Sequence, residues 1–174
     1  ILVSGVAGDI GFGLGRILRD WSLFDQLHGI DISQDHPGSL IFDFTAVAPR
    51  ADNDAYIDWL INYITIHKID IFVPTSEAEI LQVSRNINAF KSICKVLIND
   101  IRLIEKSLDK NETLNFLQKC GVDVPQHGIV ELASRPSRYP VIVKPRRGKG
   151  SKGLRKISNN SEFSKIGEGH VWQE

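Results

Sequence analysis

One short segment gathers a third of the positive charge of the chain. Between Lys144 and Lys156 there are seven basic residues, three glycines and no acidic residue, which leaves 14 basic residues against 21 acidic ones elsewhere. Glycines let backbone N–H groups approach an anion closely. The segment therefore predicts a polyanionic ligand, such as the phosphate groups of a nucleotide. The basic residues are Lys144, Arg146, Arg147, Lys149, Lys152, Arg155 and Lys156.

Two other interpretations of this basic segment stay open. An RNA-binding loop would have similar charge, but no aromatic residue between 144 and 156 offers a ring for base stacking. A solvated basic hairpin would need no ligand at all. A P-loop is excluded, because Gly148 and Gly153 have its glycine spacing but Leu154 stands where that motif requires lysine.

A second glycine-rich stretch, Gly5 to Gly13, follows an apolar run at the start of the chain. It reads as GxxGxxG, and Asp31 lies twenty residues after Gly11, as in a dinucleotide-binding site. The alternative is a tight strand-to-helix turn on a sheet that binds another ligand. An epimerase or reductase would also need a Tyr-x-x-x-Lys pair, which none of the three tyrosines forms. An NAD-linked oxidoreductase or epimerase is nevertheless kept as the rival function.

A third polar group, the segment 74–79, follows another apolar run and has the sequence Pro-Thr-Ser-Glu-Ala-Glu. Ligands of open parallel sheets bind at the carboxyl ends of the strands, so its hydroxyls and carboxylates could hold a polar acceptor near the Gly5 turn. An ordinary helix start, with Thr75 or Ser76 as N-cap, explains the same residues equally well.

The elements that position these segments alternate between strands and helices in the first ~98 residues, which predicts a Rossmann-like parallel α/β sheet. The pattern then changes to a helix capped by Asp109 and closed at Gly121, followed by strand-like segments. The predicted strands are 1–4, 28–32, 40–42, 70–74, 95–98, 127–132, 141–144, 153–157 and 170–174, and the predicted helices are centred on 14–18, 57–64, 80–84, 110–118 and 161–166.

The composition of the chain gives no sign of binding to nucleic acid or to a membrane. The 174 residues carry no net charge and are 42% hydrophobic, so no global field points to nucleic acid or to a membrane surface. Two isolated cysteines predict reduced thiols in a cytoplasmic protein. The absence of methionine and the strand at the end predict a part of a longer chain.

Three motifs together resemble the ATP-grasp superfamily. They are the pair Asp109-Lys110 before a helix, the segment Gly121 to Pro125, and Tyr139 to Pro145 with the glycine-rich loop that follows. The likeness is closest to the carbamoyl-phosphate-synthase-like and carboxylate–amine ligase branch. It implies a pre-ATP-grasp domain over residues 1–98 and the amino-terminal part of an α+β ATP-grasp lobe over 99–174, incomplete at Glu174.

The resemblance implies roles for individual residues. Lys144 would contact the α- and β-phosphates of ATP, Lys110 would lie over the nucleotide, and the segment 172–174 would hold adenine. The residues implied for ATP are Lys110, Lys144, Arg147, Gly148, Gly150, Ser151, Gly153, Gln173 and Glu174. Those implied for the acceptor are Gly8, Asp9, Gly11, Thr75 and Glu77.

The same resemblance implies a reaction. A carboxylate attacks the γ-phosphate of ATP, and an amine or similar nucleophile resolves the acyl phosphate. The Mg²⁺ ligands would lie beyond Glu174, so the chain alone should be inactive, and its catalytic residues remain unknown. The implied partners are a small carboxylate or amine, a homodimer is left open, and a noncatalytic nucleotide-sensing role is a weaker alternative.

Overall fold

The computed structural model describes residues 1–131, 135–148 and 150–174 and divides the chain into two units, Ile1–Ile101 and Arg102–Glu174. No helix among these described residues has both the length and the apolar character needed to cross a membrane. The first unit contains β1 (Leu2–Ser4), α1 (Asp9–Trp21), β2 (His28–Asp31), β3 (Phe44–Val47), α2 (Tyr56–Ile66), β4 (Ile71–Val73), α3 (Glu77–Arg85) and β5 (Lys95–Val96).

The first unit is built on a five-stranded sheet in the order β3-β2-β1-β4-β5, with every neighbouring pair parallel. The order reverses between β1 and β4, so the loops after these two strands flank a topological switch point. This is the predicted Rossmann-like sheet, and the prediction is confirmed. The Gly5 turn and the Thr75 turn thus meet at the same edge of the sheet.

Alternate residues of β1 supply two apolar cores on the two faces of the sheet. Leu2 packs with Phe72 and with the buried stripe of α2, which includes Leu60. Val3 packs in the other core with Leu18 of α1. Burial on both faces is what a central parallel strand between helices requires.

One strand prediction in the first unit is wrong. A short 3-10 helix ends at Leu40, within the strand predicted at 40–42, and β3 begins only at Phe44. Phe42 is buried against α1, where its ring lies so close to Gly15 that a methyl group there would lie 2.3 Å from it. Phe42 of the predicted strand therefore fills a gap beside a helix glycine, whereas Leu40 is exposed. Helix α4 (Ile101–Ser107) was not predicted either.

The second unit contains α5 (Lys110–Lys119), β6 (His127–Ile129), β7 (Val141–Pro145), β8 (Arg155–Ile157), α6 (Asn160–Phe163) and β9 (His170–Gln173). Its four strands form an antiparallel sheet in the order β6-β9-β7-β8. Val143 and Trp172 lie opposite each other and are buried in the core of one face. The predicted α+β lobe is confirmed, although β6 is shorter than predicted and Leu132 lies outside the described residues.

Candidate functional site

Lys144 lies on the face of the second sheet that is opposite to its apolar core. Val141 and Val143, which alternate with it along β7, are buried in that core, whereas Lys144 is only half-buried. Its Nζ donates a hydrogen bond to Oε1 of Gln173 on the neighbouring strand β9, at 2.5 Å. The structure thus brings together two residues that the resemblance assigned to ATP.

Lys110, the first residue of α5, is a second cation near Lys144. Burial, and then the positive charge of Lys110, lower the pKa of Lys144 below its ordinary value. Nζ of Lys110 donates to the carbonyl oxygen of Gly148, at 2.8 Å. Both ammonium groups thus donate to neutral oxygens rather than to carboxylates. Their charges favour an anion at this place, as phosphate groups would supply.

The glycine-rich loop after β7 contains several residues with positive φ angles. Gly148, Gly150, Ser151 and Gly153 have φ angles of 123°, 66°, 56° and 77°. Left-handed positions favour glycine, and they allow successive N–H groups to turn toward one ligand. Arg147 is exposed at the start of the loop, and Lys149 lies outside the described residues.

Arg146 is one of the seven basic residues, but its charge is already paired. Its guanidinium contacts the Asp109 carboxylate twice, Nη2 to Oδ2 at 2.8 Å and Nε to Oδ1 at 3.2 Å. Burial raises the pKa of Asp109, but hydrogen bonds from Arg146 and from helix N–H groups outweigh it and hold the pKa below the ordinary value. The absence of acids in the segment 144–156 could not reveal this pair, since its partner lies 37 residues away.

Glu174 is held by both its main chain and its side chain. Its N–H donates to the carbonyl oxygen of Gln126 at 3.0 Å, in register with the β6–β9 pair. Its carboxylate accepts hydrogen bonds from Ser137 Oγ, at 3.1 Å, and from Arg138 Nε, at 2.5 Å. The side chain is therefore engaged by the segment before β7, which leaves the main-chain carbonyl as the group to consider for adenine.

In the first unit, the Gly5 turn packs tightly against the start of α1. Gly5 has a φ of 65°, and a methyl group on Gly11 would lie 2.4 Å from the Gly5 carbonyl oxygen. Gly11 therefore serves the close approach of helix to strand. Gly8 is the N-cap residue of α1, and Asp9 is exposed in its first turn. A carboxylate in the first turn stabilises the helix through its dipole.

Two hydrogen bonds join the Gly5 turn to the Thr75 turn. Oγ1 of Thr75 donates to the Ser4 carbonyl at 2.8 Å, and N–H of Thr75 donates to Ser4 Oγ at 3.1 Å. The structure thus places Thr75 beside the Gly5 turn, as the sheet topology predicts. Glu77 is exposed on the first turn of α3.

Glu79 is a carboxylate of the segment 74–79 whose partners the sequence did not predict. It accepts hydrogen bonds from three hydroxyl groups: Ser76 at 2.6 Å, Ser4 at 2.8 Å and Tyr56 at 3.0 Å. These donors come from three elements, so Glu79 ties β1 and α2 to the start of α3. Its position three residues after the Ser76 N-cap was the available signal, since that spacing is a capping box.

Asp31 holds the Gly5 turn from the end of β2. One carboxylate oxygen accepts from the N–H of Ala7 at 2.8 Å, and the other accepts from the N–H of Ser33 at 3.0 Å. In a dinucleotide site this carboxylate would instead face a ribose hydroxyl. The geometry explains Asp31 as a support for the turn.

Comparison with known families gives a match in the second unit. Residues 107–174 match the family model of the ATP-grasp domain. Over these residues the chain is similar to an ATP-grasp domain. The match begins just before Asp109-Lys110 and includes the glycine-rich loop after β7. The resemblance inferred from the sequence is confirmed at this level, whereas the branch of the superfamily stays a proposal.

Three solved structures share the fold over almost the whole chain. N5-carboxyaminoimidazole synthetase from Staphylococcus aureus, complexed with ADP, has a TM-score of 0.68 at 17% identity, with 99% of this chain and 46% of that chain covered. L-amino acid ligase from Bacillus licheniformis has 0.69 at 15% identity, covering 99% and 43%. The biotin carboxylase domain dimer of Hydrogenobacter thermophilus 2-oxoglutarate carboxylase, in complex with MgADP and bicarbonate, has 0.65 at 16%, covering 99% and 43%.

These likenesses establish the fold of both units, pre-ATP-grasp followed by part of an ATP-grasp lobe. The chain spans less than half the length of each of the three structures. A search of curated proteins finds no match to this sequence.

Proposed function

We propose that the chain is the amino-terminal part of an ATP-dependent ligase of the carbamoyl-phosphate-synthase-like branch. The observation that carries the proposal is the placement of two lysines at the glycine-rich loop: Nζ of Lys110 donates to the Gly148 carbonyl, and Lys144 lies on the strand that leads into the loop and donates to Gln173. In the described part of the chain both ammonium groups are bonded to neutral oxygens, and this concentration of positive charge suits the phosphates of ATP. The structure of N5-carboxyaminoimidazole synthetase with ADP supports the same ligand.

Each group at this site has a proposed task when ATP is bound. Lys144 binds the α- and β-phosphates, and Lys110 neutralises charge above them. N–H groups of the loop 148–153 and the Arg147 guanidinium bind the terminal phosphates. Gln173 and the main chain of Glu174 hold adenine. ATP supplies the phosphoryl group that activates a carboxylate. The chain's own residues bind ATP, orient it and neutralise the charge of its phosphates.

The acceptor site is proposed at the edge of the first sheet, at Gly8, Asp9, Gly11, Thr75 and Glu77. The structure supports a rigid edge, because Thr75 is bonded to Ser4 and Gly11 packs on Gly5. The exposed carboxylates of Asp9 and Glu77 suit an amine or a hydroxyl of a small acceptor. The division of the chain into domains 1–98 and 99–174 belongs to the same proposal.

Mg²⁺ is part of the proposed reaction, with ligands beyond Glu174. Residues 1–131, 135–148 and 150–174 contain no cluster of three or more His, Cys, Asp or Glu side chains suited to a metal ion. The MgADP complex of the 2-oxoglutarate carboxylase domain supports magnesium in this fold. A homodimer is proposed on the likeness to that dimeric domain, and a cytoplasmic location is proposed from the cysteine usage.

The rival function, an NAD-linked oxidoreductase or epimerase, is less well supported. Asp31 directs its carboxylate oxygens to backbone N–H groups at 2.8 and 3.0 Å, one of them in the Gly5 turn itself. A ribose hydroxyl would have to compete with these bonds. The Gly5 turn is therefore explained by the packing of α1 on the sheet.

Trapping of an acyl phosphate tests the proposed function. The full-length protein is incubated with ATP, Mg²⁺, hydroxylamine and a panel of small carboxylic acids, and hydroxamate and ADP are measured. We expect one class of acid to give hydroxamate in step with ADP, since hydroxylamine intercepts acyl phosphates. NAD reduction or oxidation by the same protein, with no ATP consumed for any acid, would reverse the choice between the two functions.

A further inference from the structure

The ion pair between Asp109 and Arg146 joins the two segments that carry the proposed phosphate-binding groups. Asp109 immediately precedes Lys110, and Arg146 immediately precedes Arg147 and the glycine-rich loop. The Asp109 carboxylate is almost fully buried, with 7% of its side chain exposed, and Arg146 is one-third exposed. The two-point contact fixes both the distance and the orientation of the groups.

The same carboxylate also caps α5. Oδ1 of Asp109 accepts hydrogen bonds from the N–H groups of Asn111, at 3.0 Å, and Glu112, at 3.3 Å. One carboxylate therefore sets the start of the helix and the side chain at the base of the loop. If the start of α5 moved relative to the base of the loop, the Asp109 carboxylate could not keep its bonds both to the helix N–H groups and to Arg146.

Main-chain hydrogen bonds complete the connection. N–H of Lys110 donates to the Arg146 carbonyl at 2.9 Å, and N–H of Arg146 donates to the Gly169 carbonyl at 3.0 Å. Beyond them, Nζ of Lys110 reaches the Gly148 carbonyl at 2.8 Å. The base of the loop is thus fixed to α5 on one side and to the start of β9 on the other.

We propose that Asp109 and Arg146 are positioning residues, which hold Lys110 and the base of the loop 147–153 in register for phosphate binding. This inference rests on the proposed ATP site. A residue that acted only through its charge would have the opposite effect, because removing the Asp109 carboxylate would make the site more positive and bind phosphates more tightly. The two roles therefore predict changes of opposite sign.

Calorimetry on the full-length protein tests the inference with ADP and adenosine as probes. Asp109→Asn keeps a capping side chain of the same shape, and Glu112→Gln removes an exposed carboxylate from the same helix turn with the same change of charge. We expect Asp109→Asn to weaken ADP binding about ten-fold while adenosine binding stays within about two-fold. Glu112→Gln should leave ADP binding unchanged or slightly tighter.

A second variant tests the inference independently if Asp109→Asn does not fold. Arg146→Gln, at a one-third exposed side chain, should weaken ADP to the same extent, and the double variant should add no further loss. Unchanged or tighter ADP binding in Asp109→Asn, or equal loss for ADP and adenosine, would overturn the inference while leaving the ATP site in place. A wild-type protein that binds no ADP would overturn the proposed function, and this inference with it.

Discussion

Lys144 donates a hydrogen bond to Gln173 across the centre of the second sheet, with 2.5 Å between Nζ and Oε1. The two residues come from neighbouring antiparallel strands and are 29 positions apart in sequence. The bond joins the lysine proposed for the phosphates to the amide proposed for adenine. Because the amide oxygen is neutral, the ammonium keeps its charge for an anion.

Replacement of this lysine should reduce nucleotide affinity without unfolding the protein. In Lys144→Ala we expect ADP to bind about 10- to 100-fold more weakly, because a hydrogen bond to a charged phosphate is lost. Folding stability should change little, since the substitution also removes the repulsion from Lys110. Calorimetry gives the affinity, and thermal unfolding gives the stability.

Lys165→Ala is the matched control, because Lys165 is an exposed lysine of the same unit that follows α6. It should leave ADP affinity within about two-fold. Equal losses in both variants would mean that a diffuse positive surface, rather than Lys144, binds the nucleotide.

Alkaline pH should weaken ADP binding through Lys144. Burial and the charge of Lys110 lower the pKa of this lysine, so it loses its proton at a lower pH than an ordinary lysine. Bound phosphates favour the charged form and raise the pKa again, so ADP binding should take up a proton as pH rises. Calorimetry in buffers of different ionisation enthalpy measures this uptake. Lys144→Arg should abolish the proton uptake. The same uptake in that variant would mean that another group takes up the proton.

Acid should destabilise the first unit through His28. This imidazole is 1% exposed, stacks on Phe44 at 4.8 Å and contacts Tyr63 Oη at 3.0 Å. Burial, followed by the charge of His67, lowers its pKa from 6.5 to about 4. The unfolded chain therefore binds the proton more tightly, so stability is complete above pH 6.5 and falls toward pH 4.

Protonation of His28 should lower the free energy of unfolding by at most about 3 kcal/mol. Urea unfolding at a series of pH values should show the decline in the wild type and a flatter profile in His28→Gln. Identical slopes in the two proteins would assign the acid sensitivity to other residues.

The glycines of α1 should differ in their tolerance of a methyl group. In Gly11→Ala the new carbon would lie 2.4 Å from the Gly5 carbonyl oxygen, so we expect a loss of about 1–3 kcal/mol. Gly13 has open space around it, and Gly13→Ala should gain about 0.5–1 kcal/mol from helix propensity. Thermal melting of both variants checks this; a stable Gly11→Ala would contradict the tight turn.

Local patterns predicted much of the fold. The cap at Asp109 and the glycine after α5 depend on neighbouring residues, and both are observed, with Gly121 at a φ of 78°. The failure at β3 has a tertiary cause, because burial of Phe42 depends on Gly15, which is 27 positions away. Apolar character alone does not distinguish a strand from a residue that fills such a gap.

Contacts between side chains that are far apart in sequence could not be predicted from the sequence. Arg146 appeared to be one more phosphate-directed cation, yet it pairs with Asp109, 37 positions earlier. Glu79 appeared to be a first-turn carboxylate, yet it collects hydroxyls from Ser4 and Tyr56. Such pairs form only when the sheet brings distant segments together, so a local motif identifies the residue but not its partner.

Nucleotide selectivity of the full-length protein is the most direct test of the proposed ATP site. Calorimetric titrations with ADP, AMP and NAD should show binding of ADP, weaker binding of AMP, and loss of ADP affinity as salt is raised, because the binding energy comes from the phosphates at Lys110 and Lys144. NAD should not bind. Binding of NAD without ADP would contradict the ATP site and assign the glycine-rich turn at Gly5 to a dinucleotide.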